Sequence, residues 1–79
     1  MNLLLSKKMR YFIISVETKS INRAAELLCI TRSPLGRVLS ELEEYLGGQL
    51  FVRRYNQLEP TEMAYQLYEK LKPLYDLLC

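Results

Sequence analysis

From Ser6 onward, apolar residues recur at Met9, Phe12, Ile13 and Val16. That is the i, i+3, i+4, i+7 spacing of one helical face, and it predicts a first helix of about three turns that stops near Lys19. Asn22 then offers an N-cap, with Ile21 before it placed to pack down as a staple. A second helix is predicted from about Arg23 to Leu28, where Ala24 and Ala25 are small enough to let another helix approach closely. Cys29, Ile30 and Thr31 separate it from the next helical pattern, Leu35, Val38, Leu39, Leu42 and Leu46, which stops at Gly47 and Gly48, where glycine takes the left-handed cap conformation. Two short helices joined by so brief a turn must cross steeply, the helix-turn-helix geometry. Two starts are open for the third helix. Thr31 caps it and Pro34 sits in the first turn, or Ser33 caps it and Pro34 takes the first helical position. The first is preferred, and it places Arg32 and Ser33 on the helix.

Beyond the glycines, Leu50 to Arg54 and Leu58 to Thr61 flank Tyr55, Asn56 and Gln57. The first run is rich in β-formers, and Pro60 keeps the second short or at an edge, so the two predict a small two-stranded wing. Thr61 and Glu62 open a last helix, in which Ala64, Leu67, Tyr68, Leu71, Leu74, Tyr75 and Leu78 hold three-four spacing to the end. Projecting past the wing, that stripe has little of its own domain to bury against and is expected to pair with a second copy. Pro73 deletes one backbone hydrogen bond and should kink it. The expected fold is mainly α: a winged helix-turn-helix over residues 1–61, then a linker and dimerisation helix over residues 62–79.

Composition narrows the possibilities. Seventy-nine residues make one small domain. The run Leu3-Leu4-Leu5 before Lys7 and Lys8 is too short for a signal peptide or a membrane span, so the expected place is the cytoplasm, with no membrane partner. Cys29 and Cys79, with no histidine, cannot build a structural zinc site and read as reduced, unpaired thiols. No nucleophile–base pair is visible, so neither an enzyme nor a cofactor is expected. Net charge is only +2, but its distribution is uneven. Up to Ser40 seven basic residues face two acids, and from Glu41 onward four face seven, an asymmetry suited to meeting phosphates with one side.

The order of these pieces resembles the N-terminal domain of LysR-type transcriptional regulators. The resemblance rests on Arg10-Tyr11-Phe12, on Ser20 through Leu28, on Leu42-Glu43-Glu44-Tyr45-Leu46-Gly47, on Leu50-Phe51-Val52-Arg53 and on Pro60-Thr61-Glu62. It implies a dimeric bacterial regulator of double-stranded DNA, with the third helix in the major groove and the wing against the minor groove. The family normally continues into a large effector-binding domain. That domain is absent from this chain, which therefore is expected to hold no small-molecule effector site.

The candidate DNA-binding residues are Asn22, Arg23, Thr31, Arg32, Ser33, Pro34, Gly36, Arg37, Ser40, Arg53, Arg54 and Asn56. Arg37 matches the family's reader-helix arginine and suits a phosphate or the paired acceptors of guanine. Thr31, Arg32 and Ser33 sit where the helix dipole favours an anion. Gly36 departs from a common family serine, and Asn56 from a wing-tip Arg or Lys, a role that Arg54 can take over. Leu35, Val38, Leu39 and Leu42 read as core. The candidate dimerisation residues are Ala64, Leu67, Tyr68, Leu71, Leu74, Tyr75 and Leu78. They leave open a second function class, an interaction protein that pairs with itself or forms a heterodimer with a full-length relative.

Overall fold

Helix α1 (Leu3–Thr18) is the post around which the other helices pack, and it touches α2 (Ile21–Leu28), α3 (Arg32–Leu46) and α4 (Glu62–Leu78). A wing of β1 (Phe51–Arg54) and β2 (Gln57–Pro60) lies between α3 and α4 in the chain. The computed structural model describes the backbone of residues 3–78 and the side chains of residues 7–77; the candidate side chain at Leu78 and the thiol at Cys79 lie outside the described residues.

Because α1 has neighbours on several sides, its buried arc is wider than one stripe. Phe12, Ile13 and Val16 are buried as expected, and so are Tyr11 and Ser15. A buried hydroxyl needs a partner, and Ser15 Oγ donates to the Tyr11 carbonyl at 2.7 Å, within its own helix. Leu35 and Leu39 of α3, Leu50 and Phe51 at the wing root and Leu58 of β2 complete the centre. There the rings of Phe12 and Phe51 meet at 5.9 Å between centroids and 57° between planes, a tilted pair favoured by the aromatic quadrupole. Val38 and Leu42 are half-buried against that core.

Helix α2 starts earlier than the sequence suggests, and Asn22 is not its cap. Ser20 holds the cap position with extended backbone (φ −143°, ψ 123°), and its Oγ accepts from the Arg23 N–H at 3.2 Å. The cause is non-local. Lys19 carbonyl accepts from the Leu58 N–H at 3.0 Å, the Ile21 N–H donates to the Asn56 carbonyl at 2.8 Å, and Ser20 pairs antiparallel with Gln57. Extended pairing to β2 holds Ser20 out of the helix, so helical geometry begins at Ile21, which is the first helical residue and not a staple ahead of it.

In the wing, Phe51 faces Pro60 and Arg54 faces Gln57 in antiparallel register, which leaves a two-residue turn of Tyr55 and Asn56. Gln57 therefore belongs to β2 and Thr61 to the cap of α4, each one position from the expected limit. Thr61 Oγ1 accepts from the Ala64 N–H at 3.3 Å and donates to the Gln49 carbonyl at 2.7 Å, joining the helix start to the wing root. The larger difference is the course of α4. It does not project free of its domain but lies back along α1, with Ala64 fully buried and Leu67, Tyr68, Leu71 and Tyr75 packed against the core. Pro73 lies inside the helix, which continues through it to Leu78.

Candidate nucleic-acid interface

The turn between α2 and α3 determines how the second of these helices is presented. Cys29 adopts left-handed backbone (φ 58°, ψ 40°), its N–H reaching back to Glu26, and the Ile30 N–H donates to the Ala25 carbonyl at 3.0 Å. This closes α2 as a left-handed cap does, although glycine is the usual residue for it. The chain turns away within Cys29, Ile30 and Thr31, and α3 starts at Arg32. Thr31 is the N-cap residue, as preferred from sequence, but its side chain makes no capping bond. Its hydroxyl stands at an exposed helix start beside Arg32, Ser33 and Pro34, all of them exposed. Pro34 occupies the first turn, where a missing N–H costs nothing.

Along α3 the candidates Arg32, Ser33, Gly36, Arg37 and Ser40 recur at i, i+1, i+4, i+5 and i+8, one face of the helix, while Leu35 and Leu39 face the core. Arg37 and Ser40 are exposed, and Gly36 is half-buried. The half-burial has a specific cause. Arg53 reaches from β1 across that face: its Nη2 lies 3.1 Å from Ser40 Oγ and 3.4 Å from the Gly36 carbonyl, and 3.6 Å from Glu43 Oε1. Arg53 thus ties the wing to α3. Arg54, on the other face of β1, and the turn residues Tyr55 and Asn56 are exposed.

Two residues here escaped the sequence reading. Glu43 Oε2 accepts from the N–H groups of both Leu50 and Phe51, at 2.8 and 3.1 Å, so one carboxylate fastens the start of β1 to α3 while its other oxygen faces Arg53. Nothing in spacing along the chain announces a partner seven and eight residues away across a turn. Tyr55 stands at the wing tip with positive φ (55°) and a fully exposed ring, the place the sequence reading gave to Asn56. Asn56 is exposed as well, but its carbonyl is turned inward to Ile21. The sequence marks Tyr55, Asn56 and Gln57 together as the connection; the pairing of Arg54 with Gln57 is what puts Tyr55 and Asn56 jointly at the tip.

At the other end, Asn22 and Arg23 are exposed on the first turn of α2, next to the pinned back of the wing tip. Of the candidate pairing residues, Ala64 is inside the monomer core and Leu67, Tyr68, Leu71 and Tyr75 are half-buried, while Leu74 is 53% exposed. Leu77, absent from the expected stripe, is 83% exposed. Leu67 and Leu71 also line an apolar groove of about 730 Å³ between α1, α3 and α4, walled by Met9, Leu42 and Tyr45. Among the described residues no helix is long and apolar enough to cross a membrane.

Two helices joined by a three-residue turn and packed together, the second of them exposed and braced by a short wing, define a winged helix-turn-helix protein. Residues 6–65 match the family described as "Bacterial regulatory helix-turn-helix protein, lysR family", and the chain belongs to it. It is 45% identical over 75 residues to the virulence genes transcriptional activator of Salmonella typhimurium, a match covering 95% of this chain and 25% of that protein. The chain spans about a quarter of the length of the curated relatives it matches. Among solved structures it superposes on the BenM_DBD/catB site 1 DNA complex with a TM-score of 0.86 at 33% identity, covering 99% of this chain and 84% of that one. The CbnR_DBD–DNA complex gives a TM-score of 0.86 at 26% identity, covering 99% and 86%.

Proposed function

We propose that this chain binds double-stranded DNA as the reading module of a LysR-type transcriptional regulator, with α3 in the major groove and the wing at the adjacent minor groove. The observation that carries this is the Arg53 bridge. By joining β1 to Gly36 and Ser40 it brings the wing root onto the same face of α3 that exposes Arg32, Ser33 and Arg37. A single surface then offers guanidinium groups, hydroxyls and an open helix N-terminus, the donor set that phosphates and guanine edges accept. The relatives named above are similar over nearly the whole chain, and two of them were solved with DNA.

On this reading Arg37 contacts DNA from the middle of the exposed face. Lys8 stands 4.0 Å from Glu41 beside the groove, on α1 and not on α3, and adds only general positive charge. Arg37→Ala should weaken binding by about 1–3 kcal/mol and relax one base position, while Lys8→Ala leaves base preference unchanged. Fluorescence anisotropy on operator and scrambled duplexes, at stated salt, separates the two. Specific binding untouched by Arg37→Ala would remove that residue from the reader.

Residues 62–79 serve as the pairing helix of the same module, with residues 1–61 as the reading domain. What supports this is apolar surface left uncovered by the monomer: Leu74 and Leu77 on α4, and the groove that Leu67 and Leu71 share with Met9 and Tyr45. A second copy of this chain is the first partner for it. A full-length relative, carrying the same helix, would pair by the same contacts.

A further inference from the structure

Glu17, Tyr68 and Lys72 make a polar clasp between the end of α1 and the middle of α4, in which the Tyr68 hydroxyl is turned to Glu17 of its own chain. Tyr68 Oη donates to Glu17 Oε2 at 2.6 Å, and Lys72 Nζ stands 3.2 Å from the same oxygen and 3.5 Å from Asp76 Oδ1. Lys72 Nζ also lies 5.6 Å from the centroid of the Tyr75 ring. All of these side chains reach water, so the clasp contributes little to folding. Its value is direction. Apolar contact between α1 and α4 is non-directional and tolerates roll and tilt, whereas a short charge-assisted hydrogen bond has both a length and an angle.

The clasp is the second of two fixed points on α4. The first is Thr61, bonded to the Gln49 carbonyl and to the Ala64 N–H. From Thr61 to Tyr68 and Lys72 the helix runs roughly 10–16 Å at its rise of about 1.5 Å per residue. Two points define an axis. Just past the second comes Pro73, where the helix lacks one backbone bond, and then the exposed Leu74 and Leu77. The part of α4 aimed by the clasp is therefore the part that carries the uncovered apolar side chains.

We propose that Glu17, Tyr68 and Lys72 are positioning residues that set which half-site separation a dimer of this protein prefers, by fixing the angle of α4 on the reading domain. The inference rests on α4 being the pairing helix. In a two-fold dimer each reader connects to the other through α1, the clasp and the two α4 helices, so a change in the clasp angle enters twice. One base pair of extra separation moves a reader by about 3.4 Å and turns it by roughly a tenth of a helical turn, so small angles decide between neighbouring separations.

Selection of binding sites from random DNA by the full chain tests this, with wild type run beside a Tyr68→Phe/Lys72→Met double variant that keeps ring and stem but removes both partners of Glu17. Wild type should recover paired half-sites at one favoured separation. The double variant should recover the same half-site sequence, but its preference over separations one base pair away should fall by about threefold or more. Glu17→Gln, which still accepts from Tyr68, should keep more of the preference. An unchanged separation profile in the double variant, with self-association intact, overturns the proposal and leaves the pairing reading standing. Single half-sites recovered by wild type overturn the pairing reading itself, and the proposal with it.

Discussion

Gly36 occupies a helix interior on the exposed face of α3, where glycine is costly, and the structure shows what a side chain would meet there. An added Cβ would lie 3.7 Å from Arg53 Nη1, an ordinary contact. Gly36→Ala should therefore stabilise the fold by about 0.8–1.0 kcal/mol through helix propensity, read as a higher urea midpoint with unchanged slope. Glu43 should behave in the opposite way. Its carboxylate accepts two backbone bonds and faces Arg53, so Glu43→Ala leaves two N–H groups and a guanidinium without it, at a cost of about 2–3 kcal/mol in the same experiment. Both outcomes belong to single residues, and they differ in how visible they are. Gly36 stands out in the sequence as a departure within a helical run, whereas Glu43 looks like any solvated acid until the turn at Gly47 folds β1 back over it.

At the scale of elements, local patterns were legible and long-range pairings were not. The α3 stripe, the Thr31 cap position, the Gly47 stop (φ 74°) and the Thr61 start all follow from neighbours within four residues. The start of α2 does not, because Ser20 is held extended by Gln57 across the molecule. Neither does the course of α4, whose stripe looks the same whether it meets α1 or a second copy. The α1–α4 contact has a signature in pH. The hydrogen bond from Tyr68, with Lys72 beside it, holds the Glu17 carboxyl below its usual range despite some desolvation, and the same bond raises the Tyr68 phenol. A depressed carboxylate contributes stability above its unfolded pKa and loses it as pH falls through the folded value. A raised phenol contributes below its unfolded pKa and loses it as pH rises through the folded value. The melting-temperature difference between wild type and Tyr68→Phe should thus be flat from about pH 6 to 9 and shrink in acid below about 4.5 and in alkali above about 10. A difference constant across the whole range would mean that the bond does not form in solution.

For the whole molecule, α3 is the element shared by two surfaces, and its length keeps them apart. Arg32 to Ser40 carry the exposed face proposed to read DNA, and Glu41, Leu42, Glu44, Tyr45 and Leu46 wall the groove beside α1 and α4. Reading and pairing should therefore be separable by substitution, which a smaller domain with one exposed face would not permit. Leu77 offers the cleanest separation. At 83% exposure it supports little of the monomer, so Leu77→Asp should change folding stability by no more than about 0.5 kcal/mol. If α4 pairs through its uncovered end, a charge there must be desolvated on association, and the dimer constant should weaken by about tenfold or more in sedimentation equilibrium. Binding to a paired operator should then fall and depend more steeply on protein concentration, while binding to an isolated half-site should hold, since Arg37 and the wing are untouched. Unchanged self-association would place the pairing surface elsewhere on the chain. Loss of half-site binding along with pairing would show instead that the reading face needs the second copy to hold its shape, contrary to the bracing of α3 by Glu43 and Arg53 within one chain.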